Sequence, residues 1–406
     1  MNNYMDAFRR LRRYCEQEEW RGWDPYDGLN SRMLNALLPL KHSAFLRLCV
    51  IQGFKRCSVN LRPLLMVPKQ HNAKGVGLFL QGYCNLLRTV ERHPALASEL
   101  GTPDELRRLV EQTGELLLSL RSAGPYHGAC WGYNFDWQAR RLFLFPKYTP
   151  TVVATNFCAT ALMEAYEATG RKDFLDVALT SAEFVLHDLH RHVCPGGGFL
   201  FSYSPLQGND TVYNASLLGS RLLSYCYHYT GKEEQREAAR QSVLACVNGQ
   251  GTDGSWVYGL LPVQSWIDSF HTGYNLDALA AYEELTGDRS FHDSLERGFD
   301  FYINHFFEED GCPKYYHDRK YPIDIHCPGQ LLVTLSRLHR LDGYRDLAGK
   351  VLAWTLSNMQ DPKGYFYYQL KPGMSSKISY MRWSNAFMFN ALSYYILSSG
   401  GMTEKV

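Results

Sequence analysis

Three Thr-Gly pairs, Thr169-Gly170, Thr230-Gly231 and Thr286-Gly287, each separate two apolar runs of helical spacing. Glycine just past a helical run supplies the left-handed residue that ends an α-helix, so each pair predicts a tight helix–helix connection. A fourth connector, Leu341-Asp342-Gly343, is equally short. The periodicity predicts helix pairs over 76–94 with 104–122, 151–169 with 173–190, 212–230 with 233–248, 272–287 with 290–307, and 325–341 with 344–358. A last run, 382–398, has no partner after it. The amphipathic run 3–18, with Tyr4, Phe8, Leu11 and Cys15 on one stripe, is suited to pair with it and close a circle.

The segments between pairs are longer: 123–150, 195–211, 249–271, 308–324 and 359–381. Each sets glycine beside clustered aromatics, as in GYNFDW (132–137), GGGFLFSY (196–203), DGSWVYG (253–259), DGCPKYY (310–316) and KGYFYY (363–368). Such alternation predicts short β-hairpin-like arms at one end of the assembly. Starts of successive inner helices lie roughly 55–75 residues apart, the scale of a repeated supersecondary unit. The expected fold is all-α: one (α/α) toroid domain spanning 1–406, with the N-terminal helices of 1–60 completing the ring. It has six hairpins, or seven if the runs 29–40 and 43–56 form another. There is no parallel-sheet alternation, dinucleotide fingerprint or phosphate loop.

The 42 basic and 41 acidic side chains nearly cancel, which argues against a nucleic-acid surface. Eleven cysteines include no C-x-x-C pair, and Cys158, Cys226 and Cys246 sit in apolar helical runs. They read as buried thiols in a reducing compartment. The first twenty residues lack a signal-peptide core, and no stretch approaches the ~20 apolar residues of a membrane helix. A cytoplasmic protein without membrane insertion is expected.

An amide stands in or near the first turn of each inner run: Asn156, Asn214, Asn275, Gln330 and Asn385. Asparagine caps helices well, which accounts for one or two of these. In a closed ring the same turns converge on one end of the hole, where amides suit a hydroxyl-rich ligand. Ionisable groups lie just upstream: Asp136, Asp210, Asp268 with His271, Asp324 with His326, and Tyr380 with Arg382. General acid–base chemistry needs two such groups with separated pKa values. His187, His190, His192 and Cys194 are close in sequence, but histidine at a helix end also complements the helix dipole. No metal or cofactor is expected.

Gln250-Gly251-Thr252-Asp253-Gly254-Ser255-Trp256 resembles the Q-x-x-D-G-S-W turn of terpene cyclases and related prenyl-transferring toroids. The aspartate-rich D-x-D-D and D-D-x-x-D signatures are absent, so the likeness implies the ring and not the isoprenoid chemistry. The six-hairpin order with aromatic arms resembles the (α/α) toroids of carbohydrate enzymes: glycosidases, sugar 2-epimerases and the C-terminal domain of glucuronyl C5-epimerases. Tyr380-Met381-Arg382-Trp383-Ser384-Asn385 is similar to the arginine–tryptophan segment opening the last helix of the C5-epimerases. The pattern over 75–398 also resembles uncharacterised exopolysaccharide-biosynthesis proteins.

These resemblances imply an enzyme acting on a sugar or oligosaccharide intermediate of polysaccharide biosynthesis. Epimerase or lyase chemistry on a uronate is favoured. A glycoside hydrolase, an isoprenoid enzyme and a non-catalytic glycan-binding toroid are the alternatives. Asp268, His271, Asp324 and His326 would handle protons, and Tyr274 and Arg382 would orient a carboxylate or stabilise an oxyanion. Trp131, Trp256, Tyr316 and Trp383 would stack on sugar rings, while Asp136, Asp210 and the five amides would hold hydroxyls. The sequence leaves the oligomeric state open.

Overall fold

The computed structural model describes residues 4–138 and 144–400. Fifteen helices follow one another among these: α1 (Tyr4–Gln17), α2 (Arg32–Leu37), α3 (Ala44–Arg56), α4 (Ala73–Arg92), α5 (Ala97–Leu100), α6 (Pro103–Ser119), α7 (Val152–Thr169), α8 (Lys172–Glu183), α9 (Tyr213–Thr230), α10 (Glu233–Asn248), α11 (Ser269–Thr286), α12 (His292–His305), α13 (His326–Arg337), α14 (Arg345–Met359) and α15 (Phe387–Ser399). Helices α4, α7, α9, α11, α13 and α15 each pack on the next, and α15 returns to α4. They form a closed inner ring. Helices α6, α8, α10, α12 and α14 each lie outside the inner helix before them, and α1 lies against α15. The α1–α15 seam is aromatic: Tyr4 meets Tyr395 at 5.2 Å and Phe8 meets Phe389 at 5.1 Å. The fold is an (α/α)6 toroid.

Burial pattern separates the two layers. Ala73 to Leu87 of α4, Val152 to Ala165 of α7 and Tyr213 to Ser224 of α9 are buried without interruption. A helix buried on every face is enclosed by neighbours, as an inner stave must be. Helix α6 buries only the stripe Leu106, Val110, Thr113, Gly114 and Leu117.

The Thr-Gly connectors behave as their chemistry requires. Gly170, Gly231 and Gly287 take φ of +77°, +65° and +72°, and their N–H groups donate to Tyr166, Tyr227 and Glu283 carbonyls. Leu341-Asp342-Gly343 differs. Helix α13 ends earlier, at Arg337, His339 takes a φ of +54°, and Asp342–Tyr344 is a 3-10 turn.

At the opposite end the arms include three two-stranded antiparallel ribbons: β1 (Trp137–Gln138) with β2 (Leu144–Phe145), β3 (Arg191–Val193) with β4 (Phe199–Phe201), and β5 (Ile323–Asp324) with β6 (Gln369–Leu370). The third joins two different arms, which a hairpin reading of each arm does not anticipate. The arms share a docking device. Gly198, Gly254, Gly311 and Gly364 all take positive φ, and a Cβ on each would run into a carbonyl of an outer helix, at Gln241, Arg297, Lys350 and Arg10 respectively. The Q-x-x-D-G-S-W turn is one copy. The Gln250 amide donates to Gly254 and Ser294 carbonyls while Arg297 donates to it. Gln360 repeats this with Gly364, Ala7 and Arg10. Gly364→Ala is expected to cost at least about 2 kcal/mol, from backbone strain plus collision with Arg10. Gly349→Ala, mid-helix with nothing near a new Cβ, should stabilise by about 0.5–1 kcal/mol. Paired thermal melts check both.

Helices α2 and α3 lie outside the ring. Leu29, Leu40 and Ile51 form a small separate core under them, and α3 packs on β1.

Candidate active site

Asp268 caps the N-terminus of α11 by accepting the His271 backbone N–H at 3.0 Å. A cap carboxylate is fixed in place, and its second oxygen is put to further use. Nδ1–H of His271 donates to it at 2.8 Å and Nε1–H of Trp266 at 3.0 Å. The carboxylate thereby sets the imidazole tautomer and leaves Nε2 for another partner. Trp266 stacks on Tyr258, centroids 4.4 Å apart and planes 17° apart, and Tyr258 lies 4.8 Å from the His271 ring. Asp268 is buried, whereas His271, Trp266 and Tyr258 are half-buried, so this cluster reaches solvent.

Asp324 and His326 open the neighbouring inner helix. Asp324 is fully buried and accepts from the His326 N–H at 3.0 Å, Nε1–H of Trp383 at 2.9 Å and Nε2–H of Gln369 at 2.6 Å. Burial nevertheless pushes its carboxyl above the usual range. His326 packs against Phe387 and Trp383 with centroids 3.6 and 4.3 Å away. Its Nδ1 lies 3.9 Å from Asp324, beyond hydrogen-bonding range, and has no partner. Burial, then the charges of Lys74 and Arg382, hold this imidazole well below its ordinary pKa. The Phe270 ring stands between the two histidines, 4.1 Å from His271 and 4.9 Å from His326.

A stability consequence follows for His326. Its folded pKa is depressed, so below about 6.5 the unfolded chain binds a proton that the folded chain refuses. Its contribution is therefore lost as pH falls below that value. Asp324 and Asp277, both raised by burial, act with the opposite sign at pH above about 4. Denaturant unfolding at pH 7, 6 and 5 should show His326→Gln losing less stability on acidification than the parent, by up to about 1.4 kcal/mol per pH unit.

Two groups at this end are not evident from the inner-helix starts. Lys74, in the first turn of α4, is 4% exposed. Its Nζ donates to Tyr274 Oη at 3.3 Å and lies over the rings of Phe157, Phe387 and Tyr274 at 4.2, 4.9 and 5.1 Å. Among the described residues no carboxylate pairs with it. Burial and then Arg382 drive its pKa well below that of a free lysine. The run beginning at 76 hid Lys74, although Asn72, the actual N-cap, was a readable signal. The second group is Asp24, which grips Arg382 at Nε (2.6 Å) and at its second guanidinium nitrogen (2.9 Å). The guanidinium also lies 5.1 and 5.2 Å from the rings of Tyr133 and Trp383. Arg382 is thus neutralised within the protein, unlike Lys74.

The other sequence candidates scatter. Trp131 and Trp256 stand in the core, not at the ring mouth. Their indole N–H groups donate to the Leu117 and Cys246 carbonyls, and Trp256 fills space that Gly298 leaves open. Trp383 is buried, facing His326 and Phe270. Tyr316 is half-buried, bridged to the Asp268 backbone, with Arg319 over its ring at 4.3 Å. Asp136 accepts from the Lys147 N–H in its own arm, and Asp210 faces His192 at 3.6 Å. Asn385 ties the Phe366 backbone and Ser379 together, away from the hole. Asn214 opens α9 and bonds Tyr258, while Asn156 and Asn275 sit deeper, with buried amide atoms unpartnered. Gln330 packs against Gly273 of α11, its amide donating to Asp277 at 2.9 Å beside Thr334. The amides therefore have different partners, and no hydrogen bond joins one to another among the described residues.

His187 faces Glu183, His190 bonds the Pro205 carbonyl, and His192 faces Asp210; among the described residues no three metal-type ligands converge.

No known sequence family matches the chain, and no curated protein sequence matches it. Solved structures do. A cellobiose 2-epimerase from Bacillus thermoamylovorans is similar over 80% of this chain and 90% of its own, at 12% identity and a TM-score of 0.60. A GH76 α-mannanase from Bacteroides thetaiotaomicron matches over 81% and 86%, at 12% identity and 0.58. An unsaturated glucuronyl hydrolase specific for heparin matches over 96% and 95%, at 13% identity and 0.54. At such identities the likeness establishes the shared (α/α)6 toroid.

Proposed function

We propose that the chain is a carbohydrate-active enzyme that moves a proton at C5 of a uronate, as an epimerase or lyase acting on an intermediate of polysaccharide biosynthesis. The observation that carries this reading is the pair of histidines flanking Phe270. His271 is oriented by a carboxylate, and His326 is kept neutral with a free Nδ1. An epimerase needs one group to take the C5 proton and another to return one on the opposite face. A lyase takes the same proton while the C4–O bond breaks and a C4=C5 bond forms. Lys74 supports a uronate in particular: a desolvated amine without a carboxylate partner regains its charge when an anionic ligand supplies one. The Trp266–Tyr258 platform suits a sugar face. The similar structures are named as sugar enzymes, which agrees with this reading.

Hydrolysis fits less well. It needs one carboxyl to give a proton and a second to activate water or attack. Asp268 and Asp324 each already accept three hydrogen bonds, spread over both oxygens, and so serve to position their neighbours. Eleven free thiols and the absence of a membrane-crossing helix among the described residues support a cytoplasmic location.

Product analysis on uronate oligosaccharides tests the proposal. An epimerase changes the C5 configuration with no new reducing ends, and a lyase makes new ends bearing 4,5-unsaturation. New reducing ends without unsaturation would assign hydrolysis.

A further inference from the structure

From Gly28 to Val90 the chain contains no Asp or Glu, although acids and bases nearly balance over the whole chain. Residues 29–72 carry seven Lys and Arg. Of these, Arg32, Arg56 and Lys69 are exposed, with Lys69 paired to Glu18. The same segment concentrates exposed apolar side chains. Eight of the fifteen large hydrophobics exposed among the described residues fall between Met33 and Met66. Phe45, Leu64 and Leu37 are 73, 72 and 67% exposed.

These residues share a surface. Phe45, Cys49, Gly53 and Arg56 follow one another at helical spacing along the outer side of α3. The Arg32 N–H donates to the Met66 carbonyl and Ser31 Oγ to that of Leu65, which sets the start of α2 beside 64–66. Ser58 bonds the Met374 carbonyl and brings another exposed apolar side chain alongside. A hollow of about 350 Å³ lined by Phe54, Cys57, Val59 and Leu61 opens here. Helix α2 buries none of its residues.

We infer that this lobe docks on an anionic lipid bilayer, lying on its surface and not spanning it. Apolar side chains beside the exposed Arg32 and Arg56, on a segment that carries no acid of its own, match the headgroup–acyl boundary of an anionic leaflet. The lobe adjoins the candidate site through Tyr26. Lys55 donates to the Tyr26 hydroxyl at 2.8 Å, and the ring lies 5.7 Å from Trp383. Docking therefore sets the ring's loop end beside the membrane. This inference does not depend on the reaction proposed above.

Co-sedimentation of the full chain with vesicles tests it. The protein should pellet with 1:1 phosphatidylglycerol–phosphatidylcholine vesicles, stay in solution with phosphatidylcholine alone, and be released by 0.5 M salt, a test condition set well above physiological strength. The triple variant Leu37→Ser, Phe45→Ser, Leu64→Ser should bind at least about tenfold more weakly, with an unchanged melting curve. Failure of the parent to bind anionic vesicles would overturn the inference. So would equal binding by the triple variant. Self-association, or capture of a protein partner, that the triple variant loses while vesicles are ignored would assign the face to protein contacts instead.

Discussion

Alanine at His271 is expected to lower turnover by about 10²–10⁴-fold while leaving the protein folded, the range for removing a positioned general acid–base group. The side chain is half-buried, and its single side-chain hydrogen bond is to Asp268. Its loss gives up contacts with the Tyr258 and Phe270 rings, but the Asp268 carboxylate keeps the residue-271 N–H and the Trp266 indole as donors. Asp268→Asn should also reduce turnover, because an amide can donate where the carboxylate accepts and so releases the imidazole tautomer. That variant carries a second effect, since Asp268 is also a helix cap. Weakening the cap costs up to about 1 kcal/mol. Steady-state kinetics beside thermal melts separate the two. His271→Ala with undiminished kcat would remove this residue from the mechanism.

Asp24→Ala is expected to be the most destabilising single change at this end, by about 3–5 kcal/mol. Asp24 and Arg382 are both nearly inaccessible and share two hydrogen bonds of 2.6 and 2.9 Å. Taking away one partner strands a buried guanidinium among the rings of Tyr133, Phe135 and Trp383. The Arg62–Asp27 pair lies alongside, with Arg62 also donating to the Asp24 carbonyl, so it holds the same loop in place. Changing both partners, Asp24→Leu with Arg382→Met, should recover much of the loss, because two apolar groups leave no charge to solvate. Urea unfolding of the two single variants and the double variant measures the coupling. Additive losses would mean that the pair contributes nothing beyond its separate packing.

The ring was legible because its grammar is local. A Thr-Gly stop needs no distant residue to be read, and three of the four connectors use it. The glycines against outer helices were legible only in part. Their requirement comes from a carbonyl far away in sequence, as with Gly364 and Arg10. Asp268, His271, Asp324, His326 and Trp383 do gather around Phe270, because each stands at or just before an inner-helix start. Trp131 and Trp256 misled for a physical reason. Glycine beside tryptophan signals an aromatic arm whether the ring faces the hole or the core, and here both indoles face the core. The amides share a motif but not a partner. Asn214 is the second residue of its helix and bonds Tyr258, while Gln330 is the fifth of its own and meets Asp277. The pairing of Arg382 with Asp24 joins residues 358 positions apart, which no local pattern reveals.

Turnover of a uronate oligosaccharide in deuterated water is the most direct test of the site's chemistry. If His271 and His326 move the C5 proton, an epimerase gives recovered sugar with deuterium at C5, a lyase gives a 4,5-unsaturated product with no hydrogen there, and His271→Ala abolishes either outcome. Turnover that leaves C5 fully protonated would contradict the account.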